Sequence, residues 1–65
     1  MNKKYTIHTI NGLVEVEKPQ LVLDTNVYRD SKTEDNYLRF VMDIEKNDII
    51  DIPKKNILYV RSIEI

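Results

Sequence analysis

The sequence predicts an all-β domain, a small and strongly bent antiparallel sheet of five to six strands. The 65 residues include nine Ile, six Val and four Thr but no Ala. β-Branched side chains favour a pleated sheet, and the best helix former is missing. Runs of alternating polar and apolar residues are separated by turn signals about every 8–12 residues, as in small sandwiches and barrels. The length admits one domain, residues 1–65.

The first two predicted strands form a β-hairpin. Lys4–Ile10 and Leu13–Glu17 flank Asn11-Gly12, and Asn-Gly is typical of a type I′ turn, which needs a positive φ at both central residues. This turn sets Ile10 opposite Leu13 and His8 opposite Glu15. One face of the hairpin is then apolar and carries Tyr5, Ile7, Thr9, Val14 and Val16.

Pro19 ends the second strand because proline cannot donate to a ladder. A third strand is predicted at Gln20–Val27, with Leu21, Leu23 and Val27 on one face. Residues 28–36 are rich in charged and small polar side chains, which predicts an exposed loop.

Residues 37–45 are compatible with two structures. Leu38, Phe40, Met42 and Ile44 alternate with their neighbours as in a strand. Ser31 and Glu34 match a capping box, so the alternative is an α+β fold with a helix at about 32–46. The alternation favours the strand.

The last strands are predicted at Ile49–Ile52 and Ile57–Glu64, joined by a tight turn or single 3₁₀ turn that begins at Pro53. The first half of the final strand is apolar on both faces. Such a strand is either central in its sheet or covered by a partner.

This C-terminal quarter resembles the closing part of SH3-like and Sm-like small β-barrels, where a short strand, a 3₁₀ turn and a final strand follow one another. The resemblance implies an SH3-like barrel of five to six strands. The chain lacks the glycines and loop motif of Sm-like RNA binders, and it lacks the Trp that grips proline-rich peptides. No activity is therefore transferred to a named residue.

Composition limits the function classes. Ten basic and eleven acidic residues give a net charge of −1, which disfavours a nucleic-acid binder because such binding neutralises phosphates with Lys and Arg. Without cysteine there is neither a disulfide nor a thiolate ligand. No apolar run reaches the roughly 18 residues of a membrane span, and no secretory signal is recognised. The sequence predicts a cytoplasmic protein without a membrane segment, cofactor or metal.

Two groups of polar residues have the composition of a chemical site. His8 beside Glu15 suits a general base or a metal ligand pair, but no nucleophile accompanies it, and a solvated cross-strand pair is the simpler interpretation. A second group of carboxylates suits hard cations, but the glycine of a calcium loop is missing. A patch that recognises a basic partner fits this group better than a cation site, and a solvated turn is favoured over both. This group comprises Asp43, Glu45, Asp48 and Asp51.

Basic residues near an aromatic one give a nucleic-acid hypothesis. Lys54, Lys55 and Arg61, with Tyr59, combine phosphate contacts with a stacking ring. The alternative interpretation places the two lysines in a solvated turn and Tyr59 in the core.

The favoured hypothesis is a non-enzymatic interaction protein that acts through an unidentified protein partner or by self-assembly, most simply as a two-fold dimer. The wealth of Ile, Lys and Asn suggests an AT-rich genome and hence a phage or mobile-element accessory or inhibitor protein. The alternative is a nucleic-acid-binding small β-barrel. The candidate partner-binding residues are Tyr28, Arg29, Tyr37, Arg39, Tyr59 and Arg61.

Overall fold

A computed structural model describes residues 2–28 and 34–65, with the side chains of 27, 28, 34 and 35 left out. The predicted all-β class is confirmed, and the described residues contain no α-helix. They form six strands and one 3₁₀ turn: β1 (Lys3–Thr9), β2 (Gly12–Glu17), β3 (Leu21–Tyr28), β4 (Glu34–Asp43), β5 (Asp48–Pro53), the turn Lys54–Asn56, and β6 (Ile57–Glu64).

The strands form two antiparallel three-stranded sheets. Sheet A has the order β2-β1-β6 and sheet B the order β3-β4-β5. The chain passes from one sheet to the other at Lys18, which adopts a positive φ of 53° and donates its N–H to the carbonyl of Lys3 at 2.9 Å. The sheets do not close into a barrel, and the SH3-like resemblance stays a prediction.

The core lies between the sheets. Its buried centre joins Ile7 and Val16 of sheet A to Phe40 and Ile52 of sheet B. The ring of Phe40 meets that of Tyr5 at a centroid distance of 5.4 Å and an angle of 57°, a tilted arrangement that aromatic pairs favour. Partly buried apolar side chains surround this centre: Tyr5, Val14, Val22, Leu38, Met42, Ile50 and Ile57.

The hairpin is confirmed, but its predicted register is wrong. Thr9 lies opposite Gly12, so His8 faces Leu13 and not Glu15. The Thr9 hydroxyl accepts from the Asn11 N–H at 3.2 Å and donates to the Gly12 carbonyl at 2.9 Å. In this turn only Gly12 has a positive φ, 135°, which rules out type I′. The shift moves each partner by two residues, so the predicted faces are unchanged.

The third strand shows which of its faces meets the core. Leu21 and Leu23 do share a face, as predicted, but it is the outer one, where they are 45% and 39% exposed. Val22 points inward because it lies opposite the buried Phe40.

The fourth segment is a strand, so the helix alternative is wrong over the described residues 34–46. Leu38, Phe40 and Met42 alternate toward the core. Residues 44–47 form the turn, in which Ile44 is 63% exposed and Asn47 has a φ of 55°. Of the predicted loop at 28–36, Tyr28 and residues 34–36 belong to β3 and β4 instead, and residues 29–33 lie outside the described residues.

Candidate functional site

The outer face of sheet A carries three rows of side chains, each running across β2, β1 and β6. The antiparallel register sets these rows, since residues directly opposite one another project to the same side. They are Leu13–His8–Tyr59, Glu15–Thr6–Arg61 and Glu17–Lys4–Ile63.

The first row is aromatic and apolar. The rings of His8 and Tyr59 are stacked, with centroids 4.1 Å apart and 18° between their planes. Tyr59 remains 56% exposed and Leu13 55%. The predicted pairing of His8 with Glu15 is therefore wrong. His8 lies opposite Leu13 of β2, and its imidazole stacks on Tyr59 of β6.

The two basic side chains in the other rows differ in their ion pairs. Lys4 Nζ lies 3.3 Å from a carboxylate oxygen of Glu15 and 3.7 Å from one of Glu17. Arg61 is exposed and forms no ion pair with any described side chain. It stands between Tyr59 and Ile63 on the same side of β6, so a cation is presented between two apolar side chains.

The strand β6 is unusually apolar for an exposed strand. Ten large hydrophobic side chains of the described residues are exposed, and half of them lie on β6 or directly after it. Within the described sheets, β6 pairs only with β1. This edge strand therefore exposes both its faces and one backbone edge. The five side chains are Leu58, Tyr59, Val60, Ile63 and Ile65.

The register identifies the backbone groups on the free edge of β6. Ile65 donates its N–H to the carbonyl of Asn2 at 3.1 Å, continuing the pairing of Lys3 with Glu64. In an antiparallel ladder, hydrogen-bonded and non-hydrogen-bonded pairs alternate. The N–H and C=O groups of Val60, Ser62 and Glu64 therefore point away from β1.

Arg39, a predicted partner-binding residue, is committed to a contact within sheet B. Its Nε and Nη2 donate to the two carboxylate oxygens of Asp51 at 2.8 and 2.9 Å. The hydrogen bond to Asp51, and then the charge of that carboxylate, raise the pKa of Arg39 above its usual value. In this fork geometry Arg39 joins β4 to β5, and its role in partner binding stays a prediction.

The remaining predicted partner-binding residues are spread over the fold. Tyr37 is half-buried on β4, opposite Thr25 and Pro53, and its carbonyl accepts from the Thr25 hydroxyl at 3.5 Å. Tyr28 ends β3, and Arg29 lies outside the described residues. Of the six candidates, the structure brings Tyr59 and Arg61 together on one surface.

The basic residues predicted to bind nucleic acid lie on two different elements, the 3₁₀ turn and β6. Lys54 forms an ion pair with Asp24 of sheet B, and Lys55 follows it in the 3₁₀ turn. Arg61 lies on the outer face of sheet A. Tyr59 is exposed, so the interpretation that places it in the core is wrong.

Two of the acidic residues predicted around the β4–β5 turn, Asp43 and Asp48, lie opposite one another, and two of the four have hydrogen-bond partners elsewhere. Asp43 Oδ1 accepts from the Lys46 N–H at 3.2 Å, and Asp51 binds Arg39. In the part of the chain that the structure describes, no three His, Cys, Asp or Glu side chains are placed to hold a metal ion. Nor do its residues form a helix with the length and apolar character of a membrane span.

Comparison of the chain with protein-family models, with curated proteins and with solved structures found no match. Val60 and Ser62, whose backbone groups lie on the free edge of β6, were not among the candidate residues predicted from the sequence. The signal for it was present in the two apolar faces of Ile57–Val60, which require a central strand or a partner. Within the described sheets β6 pairs with β1 alone, so it is not the central strand of its sheet.

Proposed function

We propose that this chain is a non-enzymatic protein-interaction module that adds a polypeptide strand to the free edge of β6. The observation that carries the proposal is the position of β6: an eight-residue strand, whose first half is apolar on both faces, lies at the edge of its sheet. An exposed apolar edge is a template for pairing with another strand.

The backbone of β6 and its side chains have different roles in the interaction. Outward N–H and C=O groups of Val60, Ser62 and Glu64 supply main-chain hydrogen bonds to any extended segment. The side chains of Tyr59 and Arg61, on the outer face of sheet A, supply selectivity because they flank the added strand. Stacking of His8 against Tyr59 holds that ring in place before binding.

A finer version of the proposal makes the chain a phage or mobile-element accessory or inhibitor protein that acts in the cytoplasm. Its support is compositional: nine Ile among 65 residues, with many Lys and Asn, are expected from an AT-rich genome. A module that occupies a strand-binding surface of another protein fits this role.

The alternative, a nucleic-acid-binding small β-barrel, draws on the neighbouring positions of Tyr59 and Arg61, which suit a base and a phosphate. Against it, Lys4, Arg39 and Lys54 are each paired with carboxylates. Fluorescence anisotropy with single- and double-stranded oligonucleotides at low salt tests this alternative, and a flat isotherm removes it.

A proline substitution on the free edge of β6 tests strand addition. Ser62→Pro removes an outward N–H and leaves the ladder with β1 intact, because proline is tolerated on an edge strand when its nitrogen faces solvent. Ser62→Ala is the matched control, since it keeps that N–H. All three chains are used to select from a displayed library of random linear peptides, after circular dichroism confirms their strand content.

With each chain immobilised too sparsely to pair with itself, the expected result is a set of peptides with alternating apolar residues that bind the wild-type chain and Ser62→Ala but not Ser62→Pro. Equal binding to all three chains would show that the edge is not used. If Ser62→Pro does not fold, Val60→Lys replaces it, because a charge on an edge strand also opposes pairing.

A further inference from the structure

Building on the proposed function, we infer that the strand added to β6 is β6 of a second copy of this chain, paired antiparallel about a two-fold axis at Ser62. The result is a continuous six-stranded sheet in which sheet A of one copy extends into sheet A of the other. The observations that carry this inference are the outward backbone groups of β6, its apolar side chains and the positions of its charges.

Two-fold symmetry restricts the registers that β6 can adopt with its own copy. The axis that relates two antiparallel strands is perpendicular to their sheet, so the outer face of one copy continues as the outer face of the other. Opposite residues must then project to the same side. One residue of β6 therefore lies on the axis, directly opposite itself.

Charge excludes two of the candidate axis positions. Arg61 or Glu64 on the axis would place like charges directly opposite one another, which destabilises a strand pair. Both are exposed on β6, and neither forms an ion pair with a described side chain.

Backbone geometry separates the remaining positions. The register between β1 and β6 shifts between His8 and Thr9, which leaves Leu58 as the extra residue opposite this step. An axis at Val60 would bring this irregular part of β6 into the new ladder, opposite Ser62. An axis at Ile63 would shorten the paired segment. Ser62 is small and uncharged, and its axis pairs the regular stretch from Tyr59 to Ile65.

The Ser62 axis uses every outward backbone group identified above. Ser62 pairs with Ser62 of the second copy. Val60 pairs with Glu64 of that copy, and by symmetry Glu64 pairs with Val60 of that copy. Each of these three pairs exchanges two bonds in an antiparallel ladder, giving about six new hydrogen bonds. No other axis on β6 joins three regular pairs of outward groups.

The same register covers the exposed apolar side chains. Tyr59, 56% exposed, comes opposite Ile65 of the second copy, which is 57% exposed. Arg61 comes opposite Ile63, so no charged side chain faces another directly. The two Arg61 side chains lie diagonally across the axis, where their long stems are free to diverge. The aromatic row of Leu13, His8 and Tyr59 is thereby extended by an apolar side chain.

Cysteine cross-linking tests the register, and the chain has no cysteine of its own. Single variants Ser62→Cys and Val60→Cys and the double variant Val60→Cys with Glu64→Cys are treated with a short bifunctional thiol reagent. We expect Ser62→Cys and the double variant to give covalent dimers several-fold more efficiently than Val60→Cys alone. Light scattering of the wild-type chain is expected to give twice the monomer mass, and Ser62→Pro is expected to restore the monomer.

Three results would overturn the inference. They are a monomeric wild-type chain across the micromolar range, preferential cross-linking of Val60→Cys, and a dimer that Ser62→Pro leaves intact. The peptide selection separates this failure from failure of the proposed function. A monomer whose peptide binding is lost in Ser62→Pro overturns the second-copy inference and keeps strand addition, whereas a monomer without such binding overturns both.

Discussion

The imidazole of His8 and the phenol ring of Tyr59 stack across the β1–β6 pair, 4.1 Å between centroids. The register makes this contact, because it places the two residues directly opposite on the outer face of sheet A. The stack links the edge strand to the middle strand of the sheet. It also fixes the orientation of the ring that flanks the free edge of β6.

A double-mutant cycle with His8→Ala and Tyr59→Ala measures this stack. Aromatic pairs contribute about 0.5–1.5 kcal/mol beyond their buried area. Because Tyr59 is exposed, we expect a coupling energy at the lower end of this range, about 0.5 kcal/mol. Urea denaturation of the four chains at one protein concentration provides the values. Additivity within about 0.3 kcal/mol would show that the rings do not interact.

Phe40→Ala is expected to lower the free energy of unfolding by about 3–5 kcal/mol, because a fully buried ring is removed from the contact between the sheets. Small domains have little more stability than this, so far-UV circular dichroism should show a largely unfolded chain. Ile10→Ala is the control, since Ile10 is 62% exposed, and its expected change is within about 0.5 kcal/mol. Similar effects of the two variants would contradict the assignment of the core.

Arg39→Ala and Asp51→Ala test whether Arg39 serves stability and not partner binding. The bidentate contact joins β4 to β5, so each variant is expected to lower the melting temperature, with little further loss in the double variant. Dimer mass and peptide binding are expected to be unchanged, because Arg39 belongs to sheet B. Loss of binding at an unchanged melting temperature would return Arg39 to the interaction surface.

Local pattern was sufficient for the elements but not for their partners. Alternation identified the strand with Leu38, Phe40 and Met42, and β-rich runs around Asn11 and Gly12 identified the hairpin. The register of that hairpin was not predicted, because the turn centres on Ile10 and Asn11, with the Thr9 hydroxyl bonded to Asn11 and Gly12, and not on Asn11 and Gly12.

The candidate site was only partly predictable for a related reason. Exposure of Tyr59 and Arg61 on one strand follows from alternation, and the sequence named both. Three other features depend on strands that are distant in sequence. They are the hydrogen bonds of Arg39 to Asp51, the stack of His8 on Tyr59 and the edge position of β6. A local pattern does not specify which distant strands pair, although the two apolar faces of Ile57–Val60 indicated either a central strand or a partner.

Lys18 provides a final test, at the bend that carries the chain from sheet A to sheet B. Its φ of 53° lies in the left-handed region, which costs a non-glycine residue about 1–2 kcal/mol. Lys18→Gly removes this strain, but the freer unfolded chain offsets about 0.5–1 kcal/mol of the gain. We therefore expect a small rise in melting temperature for Lys18→Gly and a clear fall for Lys18→Val, whose branched Cβ is poorly accommodated at positive φ. The bond from the Lys18 N–H to Lys3 is available to both variants, so calorimetry compares the backbone conformation alone. A melting temperature that is the same in both would mean that the bend does not use the left-handed region.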